Sequence, residues 1–151
     1  MVNEKVVNLF EQLKSLETLF DEVLNVKDRR VEYSSVEKIY AATNPIRKHI
    51  KEQIDPLKIQ TEYPNDVVQV LKDSDSHFNI AITEIELAKR RWESHKKGLE
   101  MFKTIFNFRK PIRDPESYFP FEAFIYLTKA EYSFECYMKC LEPRIRKYLT
   151  D

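Results

Sequence analysis

From Asn65 to Lys110 the chain has no proline, and one row of positions repeats without a fault. Val67, Leu71, Ser74, Phe78, Ala81, Ile85, Ala88, Trp92, His95, Leu99, Phe102 and Phe106 follow one another at alternating steps of four and three. Only an α-helix brings such positions to one face. The spacing predicts one helix over about 40 residues, roughly 60 Å long at the usual rise. Its row divides in two. Leu71, Phe78, Ile85, Trp92, Leu99 and Phe106 are large, whereas Ser74, Ala81 and Ala88 are small, so a neighbouring helix can approach closely along that side. A chain built around such a spine folds as a helical assembly.

The other segments agree. Val6, Leu9, Leu13, Leu16, Phe20 and Val23 form a seam of about three heptads, and Phe10, Leu19 and Leu24 widen it beyond what a single neighbour covers. Over 34–55 the rows Val36, Ile39/Tyr40, Thr43, Ile46/Arg47, Ile50 and Ile54 keep helical spacing. Ser34 with Glu37 forms the pattern of a capping box. Pro45 is expected to break or kink this helix, because proline lacks the amide donor and clashes with the preceding turn. Residues 108–120 hold three prolines and read as an irregular connection. In the last segment Phe124, Leu127, Glu131, Phe134, Met138, Leu141, Ile145 and Tyr148 are assigned to the seam, with Pro143 expected to bend or end the helix near Leu141.

The expected fold is therefore all-α: an antiparallel bundle of about four helices in a single domain over 1–151. The helices fall near 4–25, 34–55 (broken at Pro45), 65–108 and 120–149. The first spans only about 33 Å by the same rise, so the long helix should overhang its neighbours.

Composition narrows the function classes. The chain has one glycine, Gly98. Glycine-rich phosphate loops need several, since the backbone must turn tightly and approach the phosphate. Lys+Arg and Asp+Glu number 25 each, so no global field favours nucleic acid or an anionic surface. No apolar stretch reaches the 18–20 or so residues of a membrane helix, and the N-terminus lacks the apolar region of a signal peptide. An intracellular protein, cytoplasmic or nuclear, is expected, with no membrane insertion.

Local charge is uneven. From Lys89 to Arg113 there are nine basic residues and two acids. Lys89, Lys96 and Lys103 recur every seven residues beside the seam, joined by Arg90, Arg91 and Lys97. Trp92, Phe102 and Phe106 lie on the seam itself, so aromatics and cations point to different sides. Stacking on nucleic-acid bases would need them interleaved on the surface. The basic flank is read first as a solvated or ion-paired face, and second as a strip for phosphate or an acidic partner.

No metalloprotease, nucleophile-elbow or catalytic-triad pattern is present, so no enzyme activity and no cofactor is expected. Cys136 and Cys140 stand one turn apart, a spacing that could hold two metal ligands, but nothing completes a set of four and buried free thiols are the expectation. His95 and Glu131 are the odd polar residues on apolar seams. If the chain reverses over 108–120, facing residues should have numbers totalling about 228, and these two would meet as a register-setting pair.

The aromatic run Phe119, Phe121, Phe124, Tyr126, Tyr132, Phe134, Tyr137 is too rich for one stripe. Phe119, Tyr126 and Tyr137 are assigned outward, as a surface for another protein or a second copy of the chain. The leading functional expectation is a non-catalytic interaction module or subunit of a larger assembly. The alternative is a nucleic-acid binder using the flank Lys89–Lys103.

Overall fold

The structure, a computed structural model, describes residues 1–57, 61–105 and 119–150, with backbone alone over 102–105. Four helices make up the described residues: α1 Glu4–Leu24, α2 Tyr33–Ile54, α3 Asn65–Ile105 and α4 Phe121–Ile145. Each packs antiparallel on the next in chain order, and α4 closes back on α1, so that α3 lies against α2 and α4, and α1 against the other sides of the same two. Short turns at Lys27–Arg29 and Arg146–Tyr148 follow α1 and α4.

The seams of α1 and α3 do what their spacing predicts. Val6, Leu9, Leu13, Leu16, Phe20 and Val23 are all buried, as are Val67, Leu71, Phe78, Ile85 and Trp92. Asn3 caps α1, its Oδ1 accepting from the amides of Lys5 at 3.1 Å and Val6 at 3.2 Å. The expected overhang is present. The start of α4 lies level with Trp92, and the start of α2 with Glu93 to Lys96. Beyond that level α3 continues to Ile105 with no other helix of the described residues alongside. Leu99 is only half-buried there, and Met101 is 62% exposed. Phe106 and the 108–118 connection lie outside the described residues.

Neither internal proline ends its helix. α2 is not broken at Pro45, and α4 runs past Leu141 and Pro143 to Ile145. In each case buried residues lie on both sides of the proline: Thr43 and Arg47 in α2, Leu141 and Ile145 in α4. Burial of both halves against the same neighbour outweighs one lost backbone bond. The capping box at Ser34 does not form either. α2 begins one residue earlier, and Ser34 Oγ donates to Glu32 Oε2 at 3.4 Å instead.

The core row of α4 keeps Leu127, Phe134, Met138, Leu141 and Ile145 of the expected one and differs in its other members. Ala123, Leu127, Ala130, Phe134, Tyr137, Met138, Leu141 and Ile145 are buried, so Ala123, Ala130 and Tyr137 replace Phe124 and Glu131. The alanines are inconspicuous in sequence but decide the packing. Arg91 pairs with Glu122, Asp73 with Arg144 and Asp66 with Lys147, so facing residues of α3 and α4 have numbers totalling 213 to 217. At this register Ala88 stands level with Ala123 and Ala81 with Ala130. Small residues of both helices coincide, and the two backbones can come together. Below them Phe78 meets Phe134 edge-on at 5.7 Å and Tyr137 at 5.0 Å, and Phe20 of α1 adds a ring at 5.8 Å from Phe134.

The α2–α3 contact holds an ion pair between a buried arginine and a half-buried aspartate. Arg47, not Ile46, takes the inward position; its guanidinium grips both carboxylate oxygens of Asp75 and lies 5.4 Å from the centre of the Phe78 ring. The pair is bidentate, the strongest geometry for such a contact.

Candidate interaction surfaces

The end of the bundle from which α3 projects is organised around Trp92. Its indole Nε1 donates to the Val31 carbonyl at 2.9 Å, which ties the α1–α2 turn to α3. Three rings stand around it: Tyr33 at 6.0 Å, His95 at 5.4 Å and Phe119 at 5.7 Å. Tyr33 Oη donates to Glu93 Oε1 at 3.1 Å; partial burial, then Glu93 itself, raises the phenol's pKa. Trp92 is thus a core residue.

The basic flank divides. Lys89 Nζ sits 4.2 Å from the centre of the Tyr40 ring and Lys96 Nζ 4.0 Å from that of Tyr33, so two members of the sevenfold row lie on aromatic faces of α2. Arg91 is held by Glu122 at 2.9 Å. Arg90 and Lys97 face solvent. The Lys103 side chain lies outside the described residues. The contrast drawn from sequence, cations on one side and aromatics on another, holds within α3 but not between helices, because α2 brings its own tyrosines to the lysine row.

His95 and Glu131 are not a pair. The expected total of 228 presumed a close reversal over 108–120; the observed register is displaced by about 15 residues, or roughly 22 Å along the axis. His95 acts electrostatically on Glu122 instead. Glu131, one position off the core row, turns towards α1 and hydrogen-bonds Asp21. Partial burial, together with Asp21 and Glu135, pushes its carboxyl up to about 7, opposite to the lowering expected from a histidine partner. The carboxylate of Asp21 across the α1–α4 contact thus favours the neutral form of Glu131. Glu17 and Lys14, themselves paired at 3.2 Å, stand in the same shallow groove.

The residues assigned outward on α4 are also sorted differently. Tyr137 is fully buried, and its pKa is raised by desolvation and then by Asp75. Its hydroxyl has no hydrogen-bond partner among the described residues. The reason is its place on the alanine row: it lies seven residues after Ala130. Phe119 is half-buried against Trp92, with the Arg30 guanidinium 5.9 Å from its ring centre. Tyr126 is half-buried, with Lys129 Nζ 5.8 Å from its ring. The aromatic and aliphatic residues that do face solvent are Phe121 at 47%, Ile125 at 37% and Tyr132 at 68% exposure. They were legible as the complement of the correct core row, since steps of four and seven from Phe121 return to one side of a helix.

A second surface lies between α1 and α2, where Pro45 faces the gap. A groove of about 600 Å³ runs over Leu16, Leu19, Ala42, Pro45 and Ile46. It continues into a smaller polar hollow that ends at Lys5, His49 and Tyr63. There His49 Nε2 and Tyr63 Oη share a hydrogen bond of 2.7 Å, and Glu62 Oε2 lies 3.8 Å from the same nitrogen. Burial, and next Glu62, pushes the Tyr63 phenol up to about 12, so it keeps its proton at neutral pH. Gln53 Oε1 accepts the Glu62 amide at 2.9 Å. These bonds fasten residues 61–63 to α2.

Among the described residues no cluster of three potential metal ligands occurs, and no helix is long and apolar enough to cross a membrane. Cys136 is half-buried and Cys140 exposed, both as free thiols, so neither is the buried thiol expected. Comparison with protein-family models, with curated proteins and with solved structures returned no match.

Proposed function

We propose that this chain is a non-catalytic protein-interaction module, a helical subunit that contributes a surface to a larger assembly. The observation that carries the reading is the outward stripe Phe121, Ile125 and Tyr132 on α4, apolar residues on the side of the helix away from its core row. Apolar residues scattered singly need no explanation, but a helical row of them bordered by charge is the composition of a docking face. The projecting end of α3, with Met101 exposed, adds apolar area to the same end of the bundle. The test is affinity purification of the tagged chain beside an Ile125→Glu, Tyr132→Glu variant. Proteins that co-purify with the wild type should be lost from the variant while its thermal midpoint stays within a few degrees. An unchanged set of co-purifying proteins overturns the reading.

A second reading, binding of nucleic acid along the basic flank, draws on the exposed Arg90 and Lys97. Phosphate binding weakens steeply with salt. A retained complex at high salt therefore favours the apolar stripe, and a salt-sensitive one abolished by Arg90→Ala with Lys97→Ala favours the flank.

A further inference from the structure

The stripe on α4 is bordered unevenly by charge. At its Phe121 end the α1–α2 turn carries Lys27, Arg29 and Arg30 against Asp28 and Glu32, all exposed. Along the helix lie exposed Lys129 and Lys139, against Glu135. The other carboxylates of this stretch are turned away, Glu122 to Arg91 and Glu131 to Asp21. Cations therefore outnumber available carboxylates around the apolar row.

The placement of Arg29 is specific. Asp28 and Arg29 both adopt left-handed backbone angles, with φ of 58° at each. For residues other than glycine this conformation costs about 1–2 kcal/mol apiece. The turn so formed sets the Arg29 guanidinium 5.6 Å from the centre of the Phe121 ring and 6.0 Å from that of Phe124. A cation is thus held directly at the head of the stripe. Strained residues that aim a charged side chain at an exposed apolar row are a pattern of binding sites.

Resting on the interaction-module reading, we infer that the outer face of α4 docks an acidic amphipathic helix of a partner protein. Its apolar residues lie on Phe121, Ile125 and Tyr132, and its carboxylates meet Arg29 at one end and Lys129 and Lys139 along the row. From Phe121 to Lys139 the face is about 27 Å long, the length of a partner helix of about 18 residues. Nucleic acid would supply negative charge without apolar area for the row, whereas an anionic membrane would take both. A second copy of α4 would bring the same excess of cations against itself.

The test uses the whole chain and two fluorescein-labelled synthetic peptides of about 18 residues, long enough to cover the face. Both carry leucine at helical spacing on one side; one is flanked by glutamate and the other by lysine. Fluorescence anisotropy should show the glutamate peptide bound at least about tenfold more tightly, the scale of one or two charge contacts at an interface. Arg29→Ala and Lys129→Ala should each weaken it about threefold and flatten its salt dependence. Ile125→Asp with Tyr132→Asp should abolish binding, with unchanged circular dichroism and thermal midpoint. The milder Ile125→Ala should weaken binding in proportion if the aspartate variant fails to fold. Equal affinity for the two peptides, or preference for the lysine peptide, overturns the acidic-helix assignment and leaves the module reading intact. A dimer in light scattering that Ile125→Asp dissolves also overturns it, since a second copy is then the occupant. Tighter binding to anionic lipid vesicles than to the glutamate peptide overturns it too. Binding of neither peptide overturns it as well, and the co-purification experiment decides separately whether the module reading falls too.

Discussion

The α3–α4 contact and the α1–α2 contact are both antiparallel helix pairs built on seams of the same period, yet they pack very differently. Between α3 and α4, alanines level with alanines bring the backbones together, and Phe78, Phe134 and Tyr137 interlock edge to face. Three ion pairs, at Asp66, Asp73 and Arg91, run along that contact. Between α1 and α2 a groove of about 600 Å³ stays open over Leu16, Leu19 and Ile46. The difference teaches that period alone does not make a tight interface. The tight pair matches small residues at one level and large ones at the next, whereas in the open pair Ser15, Thr18 and Ala42 line the groove beside Leu19, Pro45 and Ile46 and the space over them stays unfilled.

The largest expected effect breaks the tight contact. Phe78→Ala removes the ring shared by Phe134, Tyr137 and Arg47 and should cost about 3–5 kcal/mol in urea unfolding, whereas Leu19→Ala in the groove should cost no more than about 1 kcal/mol. Equal costs would dissolve the contrast between the two interfaces.

Next comes the ion pair that fixes α2 on α3. Asp75→Ala strands a guanidinium that is itself only 7% exposed and should destabilise by about 3 kcal/mol. Arg47→Met, which removes the buried charge and keeps the apolar stem over Phe78, should cost distinctly less. If both variants lose the same stability, the penalty is not that of an uncompensated charge.

Pro45→Ala should act in the opposite direction. It restores an amide donor inside a helix that is already continuous, so a gain of about 1 kcal/mol is expected, with the α1–α2 groove narrowed. A loss would show that the proline is fitted to its neighbours rather than tolerated by them.

The smallest effect concerns pH. Glu131 is raised in the folded state to about 7, above an ordinary glutamate, and faces Asp21, Glu17, Glu135 and Lys14. Its neutral form suits the α1–α4 contact. The associated stability is fully present below the unfolded value near 4.5 and is lost as pH rises through about 7. Solvent at this partly exposed site limits the loss to about 1 kcal/mol. Glu131→Gln should flatten the thermal midpoint between pH 5 and pH 8 (about the interval of that titration). A midpoint that still falls over the same interval would assign the effect elsewhere.

Much of the architecture was legible in the chain. The four helices, the buried rows of α1 and α3, and the overhang of α3 follow from period and length, because a helix's own geometry sets which of its residues share a face. Of the candidate surface, the segment was legible but not its members. Phe119 and Tyr126 half-turn inward and Tyr137 is buried, while Phe121, Ile125 and Tyr132 look out. The error traces to Ala123 and Ala130. Hydrophobicity ranks Phe124 above Ala123, so the row was begun one residue late, and the step of seven from Phe124 carried Glu131 into the core in place of Ala130.

What tertiary structure alone decided is the relation between helices. The sequence by itself determined an angle around each axis and nothing about displacement along it. That displacement came from matching small residues across α3 and α4, a property of two segments together. It moved Glu131 away from His95, while the α1–α4 contact set Glu131 beside Asp21 and the α2–α3 contact placed Lys89 and Lys96 on the tyrosines of α2. α2 and α4 also continue through their prolines, since burial on both sides of each proline outweighs one missing hydrogen bond, and that burial exists only once the neighbouring helix is in place.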